Sequence, residues 1–126
     1  MRTTIGIDGN DPLKGQSYRF ALRIVKLCRW LQEECNEYIL SKQLLRSGTA
    51  IGALVHEAEF AQSRSDFLNK LYIALKEANE TKYWLYLLYD SALINDKMFQ
   101  SIHPDIQSLL KILVSSTKTL KEQVKH

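Results

Sequence analysis

Residues 63–89 read SRSDFLNKLYIALKEANETKYWLYLLY. Ser63 and Asp66 stand three apart, the spacing of a capping box: the serine oxygen accepts the third amide and the acid reaches back. Phe67, Leu68, Leu71, Leu75, Ala78, Leu85 and Tyr89 then recur at helical spacing. The pattern predicts a helix from 63 to about 92 with a broad apolar face. Its far side carries Lys70, Ile73, Glu77, Glu80 and Trp84, and residues 83–89 are apolar or aromatic all round. That run is far too short to span a bilayer.

Upstream, residues 38–62 predict a second helix with Leu40, Leu44, Gly48, Ile51, Val55 and Ala58 as its core stripe. Gly48 and Gly52 each cost a helix about 1 kcal/mol relative to alanine. Close approach of a neighbouring backbone offsets that cost, and Ser47, Ala50 and Ala53 are small too. A first helix is predicted from Ser17, a good N-cap, with Phe20, Ile24, Leu27, Leu31 and Cys35 on one stripe and a break at Asn36. Downstream, Asn95-Asp96 reads as a turn. His103-Pro104-Asp105 places proline in a first helical turn, so a last helix is predicted from there to about Val124, with Ile106, Leu109, Leu110, Leu113, Leu120 and Val124 apolar. Residues 1–16, polar and broken by Gly6, Gly9, Pro12 and Gly15, read as a flexible leader. Residues 17–126 then form one domain. No stretch alternates with period two, so the fold class is all-α: an antiparallel up-down four-helix bundle.

The bulk numbers agree. A chain of 126 residues, 45% hydrophobic and 25% charged, with five glycines and two prolines, is long enough to bury one core unaided. With no signal-like or membrane-spanning segment, and with Cys28 and Cys35 seven apart on a helix and read as reduced thiols, the expected location is the cytoplasm and no membrane partner is expected.

The two middle helices carry more apolar circumference than a single bundle covers. Opposite the core stripe of the second lie Lys42, Arg46, Thr49, Ala53, Glu57 and Phe60, of which three are charged. With Lys70, Ile73, Glu77, Glu80 and Trp84 these residues outline a second face of the kind that marks an interface. The expectation is a homo-oligomer joined through Arg46, Thr49, Ala53, Glu57, Phe60, Lys70, Ile73, Glu77, Glu80 and Trp84. Scattered surface hydrophobes are the other reading. The charges on this face have two readings as well: ion pairs within or between subunits, or Arg46 and Lys70 left open to an anion.

Net charge is +3 and unevenly placed: residues 17–35 hold four basic against two acidic side chains, and 93–126 five lysines against three acids. Arg19, Arg23, Lys26 and Arg29 form one basic stripe, in line with Trp30, and Lys111, Lys118, Lys121 and Lys125 form another. Both are candidate RNA or DNA contacts, with Trp30 available to stack on a base; a solvated charged face is the alternative.

Catalytic and metal chemistry have no motif. None of His56, His103 and His126 follows a glutamate by three residues, as a di-iron bundle requires, and the cysteines lack the close spacing of a zinc site. Glu77 and Glu80 have no partner acid or base. No catalytic residue, metal, cofactor or small-molecule substrate is expected.

The segment Leu40-Ser41-Lys42-Gln43-Leu44-Leu45-Arg46-Ser47-Gly48-Thr49-Ala50-Ile51-Gly52-Ala53 resembles the bacterial four-helix bundle protein family, also called the large-subunit rRNA intervening-sequence protein family. Glu57-Ala58, Ser63, Asp66-Phe67, Lys70-Leu71, Ile73-Ala74-Leu75-Lys76-Glu77-Ala78, Glu80-Thr81 and Tyr83-Trp84-Leu85 are similar to its further blocks, over about 18–94. The resemblance implies a bundle assembled into a ring, typically a pentamer. It also implies kinship with the accessory variability determinant of diversity-generating retroelements, which binds a reverse transcriptase and nucleic acid through basic surfaces. Carried onto this chain, it marks Arg46, Glu57, Lys70, Glu77, Glu80 and Trp84 for assembly. The function expected is a non-catalytic oligomeric adaptor for nucleic acid or a nucleic-acid enzyme; the alternative is a purely structural or protein-interaction oligomer.

Overall fold

A computed structural model describes residues 11–125, the side chain of Lys125 excepted. The helices are α1 (Pro12–Cys35), α2 (Leu40–Ala58), α3 (Arg64–Asp90) and α4 (Asp96–Lys125). Each packs on its chain neighbours and α4 closes back on α1 in cyclic order. Gln16 meets Ser108 and Arg23 meets Asp105, so α4 descends as α1 rises. Glu57–Lys70 and Arg46–Glu77 likewise run in opposite order along α2 and α3. The four helices therefore form an antiparallel up-down bundle.

The helix ends explain where the boundaries fall. α1 starts at Pro12, five residues before the expected Ser17. Asp11 caps it, its carboxylate accepting from the amides of Leu13 (3.0 Å) and Lys14 (3.3 Å), and Pro12 occupies the first turn, where its missing N–H costs nothing. Ser17 is buried inside the helix and donates to the Lys14 carbonyl. Residues 11–16 thus belong to the bundle, and the rest of the expected leader lies outside the described residues. α1 stops where Asn36 turns left-handed at φ 52°, a conformation asparagine tolerates.

α2 has no conventional cap; instead the Glu37 carboxylate accepts from the amides of Ile39 (3.1 Å), Leu40 (2.9 Å) and Ser41 (2.7 Å). Burial pushes this carboxyl up, but the backbone donors outweigh it and hold its pKa below the usual value. At α3, Ser63 accepts from the amide of Asp66 at 3.1 Å as expected; Asp66 reaches back one residue further, to the amide of Gln62. The helix closes on a Schellman pattern, with Leu93 N–H on the Leu88 carbonyl and Ala92 N–H on that of Tyr89.

α4 begins at Asp96, not at His103-Pro104. Asn95 accepts from the amide of Met98 at 2.9 Å, and Pro104 lies inside the helix. Proline there removes a backbone hydrogen bond, at roughly 3 kcal/mol. Burial of Phe99, Ile102 and Ile106 on one stripe offsets that, and so does the stacking of Phe99 between Tyr89 (4.3 Å) and His103 (4.8 Å).

The core runs the length of the bundle: Phe20, Ile24 and Leu31; Leu44, Ile51 and Val55; Leu71, Leu85 and Leu88; Ile106, Leu109 and Leu113. Of the expected core, Leu27, Cys35, Leu40, Leu75 and Leu120 are half-buried, and Val124 is exposed. The two α2 glycines face α1. A Cβ on Gly48 would lie 2.9 Å from both Cγ1 and Cγ2 of the fully buried Ile24, and one on Gly52 would lie 3.2 Å from the Ser17 carbonyl oxygen. On the α3 side, Ser47 and Thr81 are buried and their hydroxyls meet at 3.0 Å, while Thr81 also lies 2.8 Å from the Glu77 carbonyl. Small residues on two sides let α2 sit deep between its neighbours.

Two stability measurements check this. Gly48→Ala is expected to lower stability by about 1–3 kcal/mol in urea unfolding, against alanine's helix-propensity gain of about 1 kcal/mol. Ile24→Ala makes room for the new methyl, so the double variant should lose less than the sum of the singles by at least about 0.5 kcal/mol; strict additivity would mean the two do not pack. Glu37→Gln should cost about 1 kcal/mol at neutral pH. Because the folded pKa of Glu37 lies below its unfolded value of about 4.3, its stabilisation is present above that value and is lost as pH falls through the folded pKa. The urea midpoints of wild type and Glu37→Gln should therefore differ at neutral pH and converge in acid.

Candidate interaction surfaces

The outer face of α2 and α3 gathers the residues expected at an interface, and the charged ones are paired within the chain. Arg46 bridges both acids of α3, Glu77 at 2.9 Å and Glu80. These partners, the Glu77 hydrogen bond foremost, raise its already high pKa further. Lys70 faces Glu57 at 3.6 Å. Neither cation is left to an external anion. Thr49 turns inward to donate to the Leu45 carbonyl at 2.7 Å, and Ala53 is exposed. Phe60, past the end of α2, is 77% exposed and lies in a T-shaped arrangement with the His56 ring; Ile73 is 37% exposed. Trp84 departs from the expectation of an exposed ring: it is half-buried against the core, its indole N–H directed at Glu80 (3.4 Å). The neighbouring Tyr83, edge-on to it, takes the exposed position.

The two expected basic stripes are separated by the body of α4. On the α1 side, a cleft of about 470 Å³ is lined by Arg23, Lys26, Trp30 and Lys97 over Leu27, Met98 and Ile102. Arg23 is held in place by Asp105, the Ser101 carbonyl (3.0 Å) and the Ser101 hydroxyl (2.6 Å). Its charge is thus partly neutralised, while Lys26 and Lys97 are exposed. Arg19 lies further along the same seam beside Asp105 and Ser108, and Arg29 is exposed outside the cleft. On the other side of α4, Lys111 and Lys118 face α3. Lys121 is exposed near the end of α4, and the side chain of Lys125 lies outside the described residues.

Lys97 was absent from the sequence expectation because its stretch was read as a loop before Pro104. Once Asn95 is taken as the cap, Lys97 falls in the first turn of α4, one residue before the half-buried Met98.

Among the described residues no group of three or more His, Cys, Asp or Glu side chains is placed to hold a metal ion, and no helix is long and apolar enough to cross a membrane. Both cysteines are free thiols. Cys28 is buried and contacts the Ser41 carbonyl at 3.2 Å. Burial foremost, and then the charge of Glu37, push its pKa up to about 12. Tyr89, hydrogen-bonded to Asp96, has its pKa raised by that acceptor above all.

Fold and surfaces together define a small all-α bundle with paired charges on one side and lysine-bearing seams on another. The model of the 23S rRNA-intervening sequence proteins matches residues 13–115, and the chain belongs to that family. The match extends at both ends past the 18–94 on which the resemblance rested. A crystal structure of a protein of unknown function from the S23 ribosomal protein family of Bacteroides thetaiotaomicron is 53% identical. It aligns over 84% of this chain and 98% of its own with a TM-score of 0.83. No curated protein matches.

The thiols offer a direct check on the packing around α1. A thiolate reacts and a thiol does not, so a thiol-exchange reagent near pH 8 should react quickly with one cysteine per chain. Cys35→Ser should abolish that fast phase and Cys28→Ser should leave it. Equal rates at both sites would mean Cys28 is not sequestered.

Proposed function

We propose that the chain is a non-catalytic, cytoplasmic adaptor that self-associates through the outer α2–α3 face and holds single-stranded nucleic acid, RNA first, in its α1–α4 cleft. The observation that carries the nucleic-acid reading is the cleft itself, where Trp30 stands among Arg23, Lys26 and Lys97. A cationic groove with an aromatic ring is what a sequence-tolerant single-strand site requires: the cations follow the phosphates and the ring stacks on a base. The family's printed description, an rRNA-intervening sequence protein, supports this direction. Exposed Phe60, Ile73 and Tyr83 beside charges already paired within the chain support self-association, since apolar area is then left for a neighbour to cover. Repetition of the cleft around an oligomer, a pentameric ring in the reading drawn from the family resemblance, would multiply a modest charge into a stronger field. An enzyme of nucleic acid, a reverse transcriptase in that reading, would be reached through the same strand.

Fluorescence anisotropy with a labelled poly(U) oligomer tests the cleft. Affinity should fall with salt, and Lys26→Ala with Lys97→Ala should flatten the log–log slope by about 0.7 per lysine removed. Trp30→Ala should weaken binding by about 1–3 kcal/mol at every salt concentration. Binding unchanged by all three substitutions, or no salt-sensitive binding in the wild type, would dismiss the nucleic-acid reading.

A further inference from the structure

On the other side of α4, a groove of about 1050 Å³ runs between α3 and α4. Its floor is Tyr72, Leu75, Leu110 and Val114, and Val114 is 52% exposed among the described residues. Its walls carry Lys76 and Lys82 from α3 and Lys111 and Lys118 from α4, and among the described residues no carboxylate lines it. Among the described residues, Lys82 lies 5.6 Å from the centre of the Tyr86 ring and the other three lysines reach no acceptor. On the α2–α3 face Arg46 and Lys70 each meet an acid across the helix seam; here, among the described residues, none of the four lysines lining the groove is paired with a carboxylate. Like charges along an apolar trough repel in the isolated molecule and are relieved by an occupant of opposite sign.

We infer that this groove is a docking site for an acidic amphipathic α-helix of a partner protein. Its lining spans from Tyr72 to Lys82 on one side and from Gln107 to Lys118 on the other, about 15 Å of each helix axis. A helix lying there would present apolar residues at i, i+3 or i+4, and i+7 to the floor, with glutamates or aspartates flanking them to meet the lysines. The floor is what favours a helix over a nucleic acid. Three of its four side chains are aliphatic, so the water they hold is displaced by other aliphatic groups, and only Tyr72 offers a ring to stack on. The surface is separate from the α1–α4 cleft, so either assignment can fail without the other.

A synthetic peptide of about five helical turns, with leucines at those positions and glutamates beside them, is the probe. Its anisotropy is measured against the full chain and against three controls: a scrambled peptide of equal composition, a charge-swapped peptide with lysines for the glutamates, and poly(U). The acidic amphipathic peptide should bind at least about tenfold tighter than its scramble. Val114→Asp, at an exposed position, and the paired charge reversal Lys76→Glu with Lys111→Glu should each weaken it by about tenfold or more. The charge-reversed protein should in turn prefer the charge-swapped peptide, which separates loss of the site from loss of the fold. Equal binding of the scramble, indifference to Val114→Asp, failure of the charge swap, or displacement of the peptide by poly(U) from these same lysines would overturn the inference.

Discussion

The bundle depends on how deeply α2 is allowed to sit. Gly48 and Gly52 remove the side chains that would hold α2 off α1, and Ile24 and the Ser17 backbone occupy the space gained. Across the other seam, Ser47 and Thr81 satisfy each other in the smallest volume two hydroxyls need. Among the described residues no buried side-chain polar atom lacks a partner, so hydrogen bonds offset the desolvation that the close approach imposes. α1, α2 and α3 are locked this way, while the α1–α4 seam is thinner and leaves a cleft on that flank of α4; a separate groove runs along the α3 flank.

From that arrangement follows the division of the surface. With the helices in cyclic order, each has one outward face. On α2 and α3 the outward charges lie close enough to pair, and Arg46, spanning Glu77 and Glu80, ties the helices together at the rim. Exposed pairs of this kind add little stability, about 0–1 kcal/mol each; their effect is to match Arg46 and Lys70 with acids of the same chain, with Phe60, Ile73 and Tyr83 as uncovered apolar parts. Around α4 the balance is opposite. Lysines on α4 meet lysines of α3 on one side and the basic stripe of α1 on the other, so the two flanks retain positive charge.

Much of this was legible in the residues. Helical periodicity, the Ser63 N-cap, the break at Asn36 and the glycines of α2 each have one dominant physical cause and are borne out; the reach of Asp66 to Gln62 is not what the capping-box spacing implies. The misreadings fall where two local signals competed. Ser17 looks like an N-cap, but Asp11-Pro12 is the stronger start. Pro104 looks like a first-turn proline, but Asn95 caps earlier, and burial of Phe99 and Ile102 outweighs a proline inside the helix. Glu37 as the cap of α2 involves a side chain reaching forward over several amides, which no spacing rule announces. The basic stripes were found as stripes. Their separation by α4, the inclusion of Lys97, and the convergence of Lys76 and Lys82 on Lys111 and Lys118 depend on which helices become neighbours and at what register. The helix position of Trp84 suggests an exposed ring, but an indole is large enough to pack against the core from there while its N–H stays with Glu80.

The central claim is that the α2–α3 face, with Arg46 and Lys70 already paired to its own acids, keeps apolar area for another copy of the chain. Sedimentation equilibrium of the full chain at micromolar concentration tests it most directly. The account predicts a mass several times the 14.6 kDa of one chain, falling to a helical single chain when Ile73 is replaced by Asp. A single chain in the wild type, with Phe60 and Ile73 left in water, would contradict it.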